Sequence, residues 1–171
     1  MPIAMKQDFS DRATFLKAMT PMREATFYGH DIVYDEASRT MTFTLTRADQ
    51  SRGGAGGFMA ARKQIYIKTL ITVRRISSYK QYLAGQPDDV YVFDRAEVGR
   101  GGQELAFYFR PGDRAVMDVE QIDGFIEDSG RVTAAPRSPT IQNPILKEEK
   151  EAAQKKTLVG KLLGKQGKKK S

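Results

Sequence analysis

The amino-acid sequence predicts an α+β protein, mainly antiparallel β, with about six strands forming a sheet or small barrel, a helix ahead of them and a separate basic amphipathic helix behind. Three observations carry this. Apolar residues recur at every second position in two hairpin-like pairs of segments. No strand–helix–strand unit of parallel-sheet length repeats. The positive charge is gathered at one end: residues 131–171 hold eleven Lys or Arg against three Glu, a balance of +8, whereas residues 1–130 hold seventeen bases and eighteen acids, a balance of −1. Clustered charge bears on partners in a way that averaged charge does not.

The first element expected is a short amphipathic helix over Asp8–Ala18, capped by Ser10, with Phe9, Ala13, Leu16 and Met19 at helical spacing and Pro21 ending it. The period then changes to two. Tyr28, His30, Ile32 and Tyr34 share one face of a strand, and the polar run 35–39 turns the chain into Thr40–Thr46. There strict alternation sends Met41, Phe43 and Leu45 inward and four threonines outward. Gly53, Gly54, Gly56 and Gly57 make a flexible loop, because glycine at that density loses too much entropy to sit inside an element. Ile65, Ile67, Thr69, Ile71 and Val73 then form the buried face of a long strand. Ser77–Leu83 reads as one or two helical turns stopped by Gly85, and Val90–Asp94 as a further strand. Leu105, Phe107 and Phe109 face one way, Pro111-Gly112-Asp113 turns, and Ala115, Met117 and Val119 return on the same face.

The body is drawn as 1–130, followed by a proline-containing linker over 131–143 and a basic helix with a frayed lysine tail over 144–171. Asn143-Pro144 supplies an N-cap and first-turn proline. Ile145, Ala152 and Val159 fall seven apart on an apolar stripe, and the glutamates precede the lysines in the order that complements the helix dipole.

Composition sets further bounds. With 40% hydrophobic residues, nine Phe and seven Tyr, there is material for a core. The absence of cysteine excludes disulfides, thiolate metal sites and a cysteine nucleophile, and fits a reducing compartment, so a cytoplasmic location is expected. Neither a secretory leader nor an apolar run near the ~20 residues of a membrane helix is seen.

Few residues carry a chemical signature. His30 is the only histidine, and no Gly-x-Ser-x-Gly elbow accompanies it. Carboxylates cluster across Asp118, Glu120, Asp123, Glu127 and Asp128, but Asp118 and Glu120 alternate with Met117 and Val119, which marks them as the solvent side of a strand rather than a metal or glycosidase pair; Asp123, before Gly124, is the least settled of them. The glycine loop lacks the Gly-Lys-Ser/Thr of a phosphate cradle, and Met59 stands where a dinucleotide fingerprint needs glycine. Arg52-Gly-Gly and Arg100-Gly-Gly read as turns. Ala106-Phe107-Tyr108-Phe109 has the aromatic content of an RNA-recognition strand without that fold's surrounding pattern, so Phe107 and Phe109 are expected in the core. Arg74, Arg75, Tyr79, Lys80 and Tyr82 form the body's one basic-aromatic cluster.

The stretches Ile65-Tyr66-Ile67, Val73-Arg74-Arg75-Ile76, Leu105–Phe109, Ala115–Ile122 and Ile126-Glu127-Asp128 together resemble short bacterial β domains of unknown function. The resemblance rests on hydrophobic pattern, covers the middle of the chain and implies neither an activity nor a site residue.

The reading preferred is therefore a non-catalytic binding or adaptor protein without a cofactor or metal, whose arm meets an anionic macromolecule, with nucleic acid ahead of an anionic membrane surface. Lys155, Lys156, Lys161, Lys165, Lys168, Lys169 and Lys170 supply the charge, and Leu158, Val159, Leu162 and Leu163 the apolar contact. Five lysines engaging duplex phosphates imply a salt slope of about −4. Three alternatives stay open: a membrane-surface module, a helix that joins a protein partner or a second copy of the chain, and a small-ligand binder or enzyme built around His30 and Asp31.

Overall fold

The computed structural model describes residues 4–49 and 64–137. The expected glycine loop and the expected C-terminal helix with its lysines lie outside the described residues. Within them the chain forms β1 (Lys6–Phe9), α1 (Arg12–Met19), β2 (Thr26–Tyr28), β3 (Ile32–Asp35), β4 (Thr40–Ala48), β5 (Tyr66–Val73), β6 (Ile76–Tyr82), β7 (Val90–Val98), β8 (Glu104–Arg110), β9 (Asp113–Val119) and β10 (Gly124–Val132), with single 3-10 turns at Thr20–Met22 and Gly29–Asp31. The class is as expected, mainly antiparallel β with one short N-terminal helix, but the strands number ten rather than six.

Each added strand has a local cause. Lys6–Phe9 is a strand and not the start of the helix, because Asp11, rather than Ser10, caps α1. The Asp11 carboxylate accepts from the Thr14 amide at 2.8 Å, and the Thr14 hydroxyl oxygen accepts from the Asp11 amide at 3.1 Å. The strand expected through Tyr28–Tyr34 breaks into β2 and β3 at the 3-10 turn, which takes His30 off the face shared by Phe27 and Ile32. The helical turns expected at Ser77–Leu83 are β6. A bulge at Ser77 shifts its phase, so Ile76, Tyr79 and Leu83 turn inward at three- and four-residue spacings that imitate a helix. β10 pairs Gly124–Glu127 with β1 on one side and its full length with β5 on the other, reaching Val132.

All pairings are antiparallel, in the order β1-β10-β5-β4-β2-β7-β8-β9-β6, with β3 on β4 as well. β5 and β6 stand far apart in this order, yet only Arg74 and Arg75 separate them in the chain. The sheet must therefore curl until its β6 end returns to β5. Three backbone hydrogen bonds hold the corner: the Arg74 amide to the Asp123 carbonyl at 2.8 Å, the Glu120 amide to the Arg75 carbonyl at 3.0 Å, and the Ile76 amide to the Arg39 carbonyl at 3.1 Å. Across the seam, Tyr34 of β3 stacks on Tyr79 of β6 with ring centroids 4.7 Å apart.

The inward residues of β4, β8 and β9 are those the alternation selected: Met41, Phe43, Leu45, Leu105, Phe107, Phe109, Ala115, Met117 and Val119 are all buried. Phe43 sits among four rings, Phe27, Phe109, Phe107 and Phe93, at centroid distances of 4.6, 5.7, 6.0 and 6.3 Å. α1 lays Phe15 on Phe9 of β1 at 5.2 Å and Phe107 of β8 at 5.9 Å, so the helix touches the first strand of the order and one near its other end. Beyond Leu45 the interior turns polar. Asp128 of β10, 9% exposed, accepts from Arg47 Nη2 at 2.9 Å, from the Thr69 hydroxyl at 2.8 Å and from the Met5 amide at 3.0 Å. This network joins the β1, β4, β5 and β10 segments through one carboxylate.

Candidate functional site

The outward face of β7, β8, β9 and β6 carries a row that no stretch of sequence displays. Because Phe107 and Phe109 point inward, Tyr108 between them points out. Register places Arg95 of β7 beside Tyr108, Tyr108 beside Arg114 of β9, and Arg114 beside Tyr82 of β6. Two bulges make this possible. An extra residue at Asp94 changes the phase of β7 after Phe93, so that Arg95 faces solvent while Val98 returns to the core; the bulge at Ser77 does the same for Lys80 and Tyr82. The result is an alternating Arg–Tyr–Arg–Tyr line across four strands.

The two arginines of the row differ in freedom. Arg95 lies over Tyr108, its guanidinium carbon 4.2 Å from the ring centroid, and is hydrogen-bonded to Glu97 at 2.7 Å and Asp94 at 2.8 Å. Those hydrogen bonds, first to Glu97 and then to Asp94, push its pKa above the usual arginine value. Arg114 lies over Tyr82 at 5.0 Å and makes no ion pair among the described residues. Beside it opens a shallow hollow of about 440 Å³ lined by Tyr82, Leu83, Ala84, Tyr108, Gly112, Asp113 and Arg114. Tyr82 is 49% exposed, the one aromatic ring among the large hydrophobic side chains exposed in the described residues.

The other candidates are accounted for within the fold. The His30 Nδ1 lies 2.9 Å from the Pro87 carbonyl and 3.2 Å from Asp88, and its ring stacks on Tyr28 at 5.2 Å. Asp31 accepts from the Tyr28 amide at 2.8 Å and so closes its own turn. Neither residue lines the hollow. Four carboxylates of the acidic stretch have their own partners: Asp118 the Ser78 hydroxyl at 2.6 Å, Glu120 the Arg39 guanidinium at 2.6 Å, Asp123 both Arg74 and Arg75 at 2.8 and 3.5 Å, Asp128 the network with Arg47 and Thr69. Among the described residues no group of three His, Cys, Asp or Glu is placed to hold a metal ion. The basic-aromatic cluster divides, with Arg74 and Arg75 on Asp123, Tyr79 inside the seam, and Lys80 and Tyr82 outside. Arg100-Gly-Gly is the β7–β8 turn, where Gly101 and Gly102 take φ of +90° and +75°.

No protein-family model, curated protein or solved structure matches the chain. Among the described residues no helix is long and apolar enough to cross a membrane.

The sequence-selected lysines from Lys155 to Lys170, with Leu158, Val159, Leu162 and Leu163, fall outside the described residues. Sequence reasoning picked out Tyr82 but missed Arg95, Tyr108 and Arg114. The available signal was the outward slot that alternation leaves to Tyr108 between two core phenylalanines. Pairing it with Arg114 required only the tight Pro111-Gly112-Asp113 turn already recognised.

Proposed function

We propose that the protein is a non-catalytic nucleic-acid-binding protein in which the C-terminal lysines supply most of the attraction. The observation that carries this is where the unmatched positive charge resides. Arg39, Arg47, Arg74, Arg75, Arg95, Arg110 and Arg131 are each ion-paired with a carboxylate of the body. The sequence beyond Glu151 has lysines at 155, 156, 161, 165, 168, 169 and 170 and no acid at all. A body whose bases and acids nearly balance, followed by a segment with no acid to balance its lysines, is the distribution expected of an electrostatic arm on an anionic polymer. The turn-bound positions of His30 and Asp31 and the individually partnered carboxylates support binding over catalysis.

The test is a salt titration of the full chain against duplex DNA, single-stranded nucleic acid and anionic vesicles, beside a variant with Lys161, Lys165, Lys168, Lys169 and Lys170 changed to Gln. Engagement of all five by a duplex gives a slope of log K on log salt steeper by about 4 in the parent than in the variant. Equal affinities in parent and variant, or binding to vesicles alone, would overturn the reading.

A further inference from the structure

We infer that the hollow beside Arg114 is a site for one unpaired base and its adjoining phosphate on a single-stranded nucleic acid. The inference rests on the nucleic-acid reading above and adds a second contact, on the folded body, with a preference the lysine arm cannot provide. Lysines recognise phosphate charge in any strand. An exposed aromatic ring recognises a base only when that base is out of a duplex, because only then is its face available for stacking.

Four features fit that ligand. Tyr82 presents half its surface to solvent at the edge of the hollow. Tyr108 lies at the same register level, two strands away, and is braced by Arg95, whose own charge is held by Glu97 and Asp94. Arg114 stands between the two tyrosines with a planar guanidinium and no carboxylate on it among the described residues, a donor set matched to phosphate oxygens. Asp113, also lining the hollow, repels phosphate from its own side and offers acceptors for the N–H groups of a base, so the site is polar in a defined direction. The hollow is shallow and open, with a volume of about 440 Å³, room for one base and its phosphate to lie against the sheet.

The consequence is a division of labour. The arm brings any nucleic acid to the protein, and the hollow retains those with an unpaired base.

The experiment is fluorescence anisotropy on the full chain with a labelled twelve-nucleotide oligo-dT, a labelled blunt-ended duplex of equal charge with no unpaired base, and free thymidine monophosphate as competitor. Expected is tighter binding of the single strand than of the duplex. Tyr82→Ala weakens the single strand by about five- to a hundredfold, as expected for loss of one stacking ring, and leaves the duplex unchanged. Tyr82→Phe, which keeps the ring, recovers the affinity that Tyr82→Ala loses. Arg114→Gln weakens the single strand and lowers its salt slope by about 0.7, the contribution of one phosphate. Both side chains are exposed, so an unchanged thermal midpoint verifies the fold of each variant. Single-strand binding unaffected by Tyr82→Ala and Arg114→Gln would overturn the site while leaving the arm intact. Failure of the parent to bind either nucleic acid would overturn the nucleic-acid reading itself. Competition by the mononucleotide at the concentration at which the oligonucleotide binds would overturn the assignment to a strand.

Discussion

Replacing Phe43 with Ala removes the ring on which the core converges. Phe43 is fully buried and packs against Phe27, Phe109, Phe107 and Phe93, which come from β2, β8 and β7, so the cavity left behind borders three strands that are themselves fixed by hydrogen bonds and cannot close over it. A buried Phe→Ala change costs about 3–5 kcal/mol, increasing with the cavity that persists. Edge-to-face ring pairs add about 0.5–1.5 kcal/mol each beyond burial, and two of the partners, Phe27 and Phe109, are close and steeply inclined at 81° and 68°. The expected loss is therefore at the upper end, about 4–5 kcal/mol, roughly a quarter or more of the ~5–15 kcal/mol that holds a typical domain together. With a urea m-value of about 2 kcal/mol/M, the unfolding midpoint falls by about 2 M at constant slope. Phe43→Leu retains most of the volume and shifts it by less than about 0.8 M under the same slope. Val33→Ala, at a position 54% exposed, serves as the control and stays within about 0.5 kcal/mol of the parent. Equal midpoints for Phe43→Ala and Val33→Ala would refute the placement of Phe43 at the centre of the core.

Two further outcomes follow from the ionic contacts. Asp128→Ala leaves Arg47 buried without its counter-charge and lowers stability by about 3–5 kcal/mol, whereas the double change Arg47→Met with Asp128→Leu recovers most of it; chemical denaturation of the three variants measures both. Glu120, held below its ordinary 4.5 first by the Arg39 hydrogen bond, binds a proton less readily folded than unfolded. Its contribution is therefore complete above that ordinary value and disappears as pH falls through the lower folded one. A urea midpoint for Glu120→Gln that lies below the parent's at pH 7 and converges on it as pH falls below 4.5 is expected; a gap that widens on acidification would reverse the sign.

How much of this was legible in the sequence depends on whether side chains kept a single phase. β4, β8 and β9 alternate without interruption, and their turns contain residues that only turns favour, so both hairpins and their buried faces could be read directly. β6 and β7 each contain a bulge, and one extra residue is enough to convert a period of two into spacings of three. That is why Ile76, Tyr79 and Leu83 look helical, and why β7 seemed to end at Asp94. β1 is four residues long and carries two charges, and it is a strand only because β10 lies beside it. The Arg–Tyr row was hidden for a related reason: its members come from four strands, and two of them reach the outer face only through a bulge. The arm's charge, by contrast, is a property of composition and needed no fold to be seen.

The pairing of Lys6 with Glu127 has a consequence for how the protein is made. At about 5–20 residues per second, the partner of the first strand is synthesised roughly 6–24 s after it. Until then β5 has no neighbour on the edge that β10 will occupy, and Phe9 lacks Gly124, whose missing side chain lets that ring lie against the backbone. Contacts of such long sequence separation also close slowly, because the intervening chain must be ordered first. The emerging polypeptide therefore carries Ile71 and Val73 on an open strand edge while the roughly 50 residues between Val73 and Gly124 are made. That interval is when a chaperone, or the same edge on a neighbouring nascent chain, has access to it.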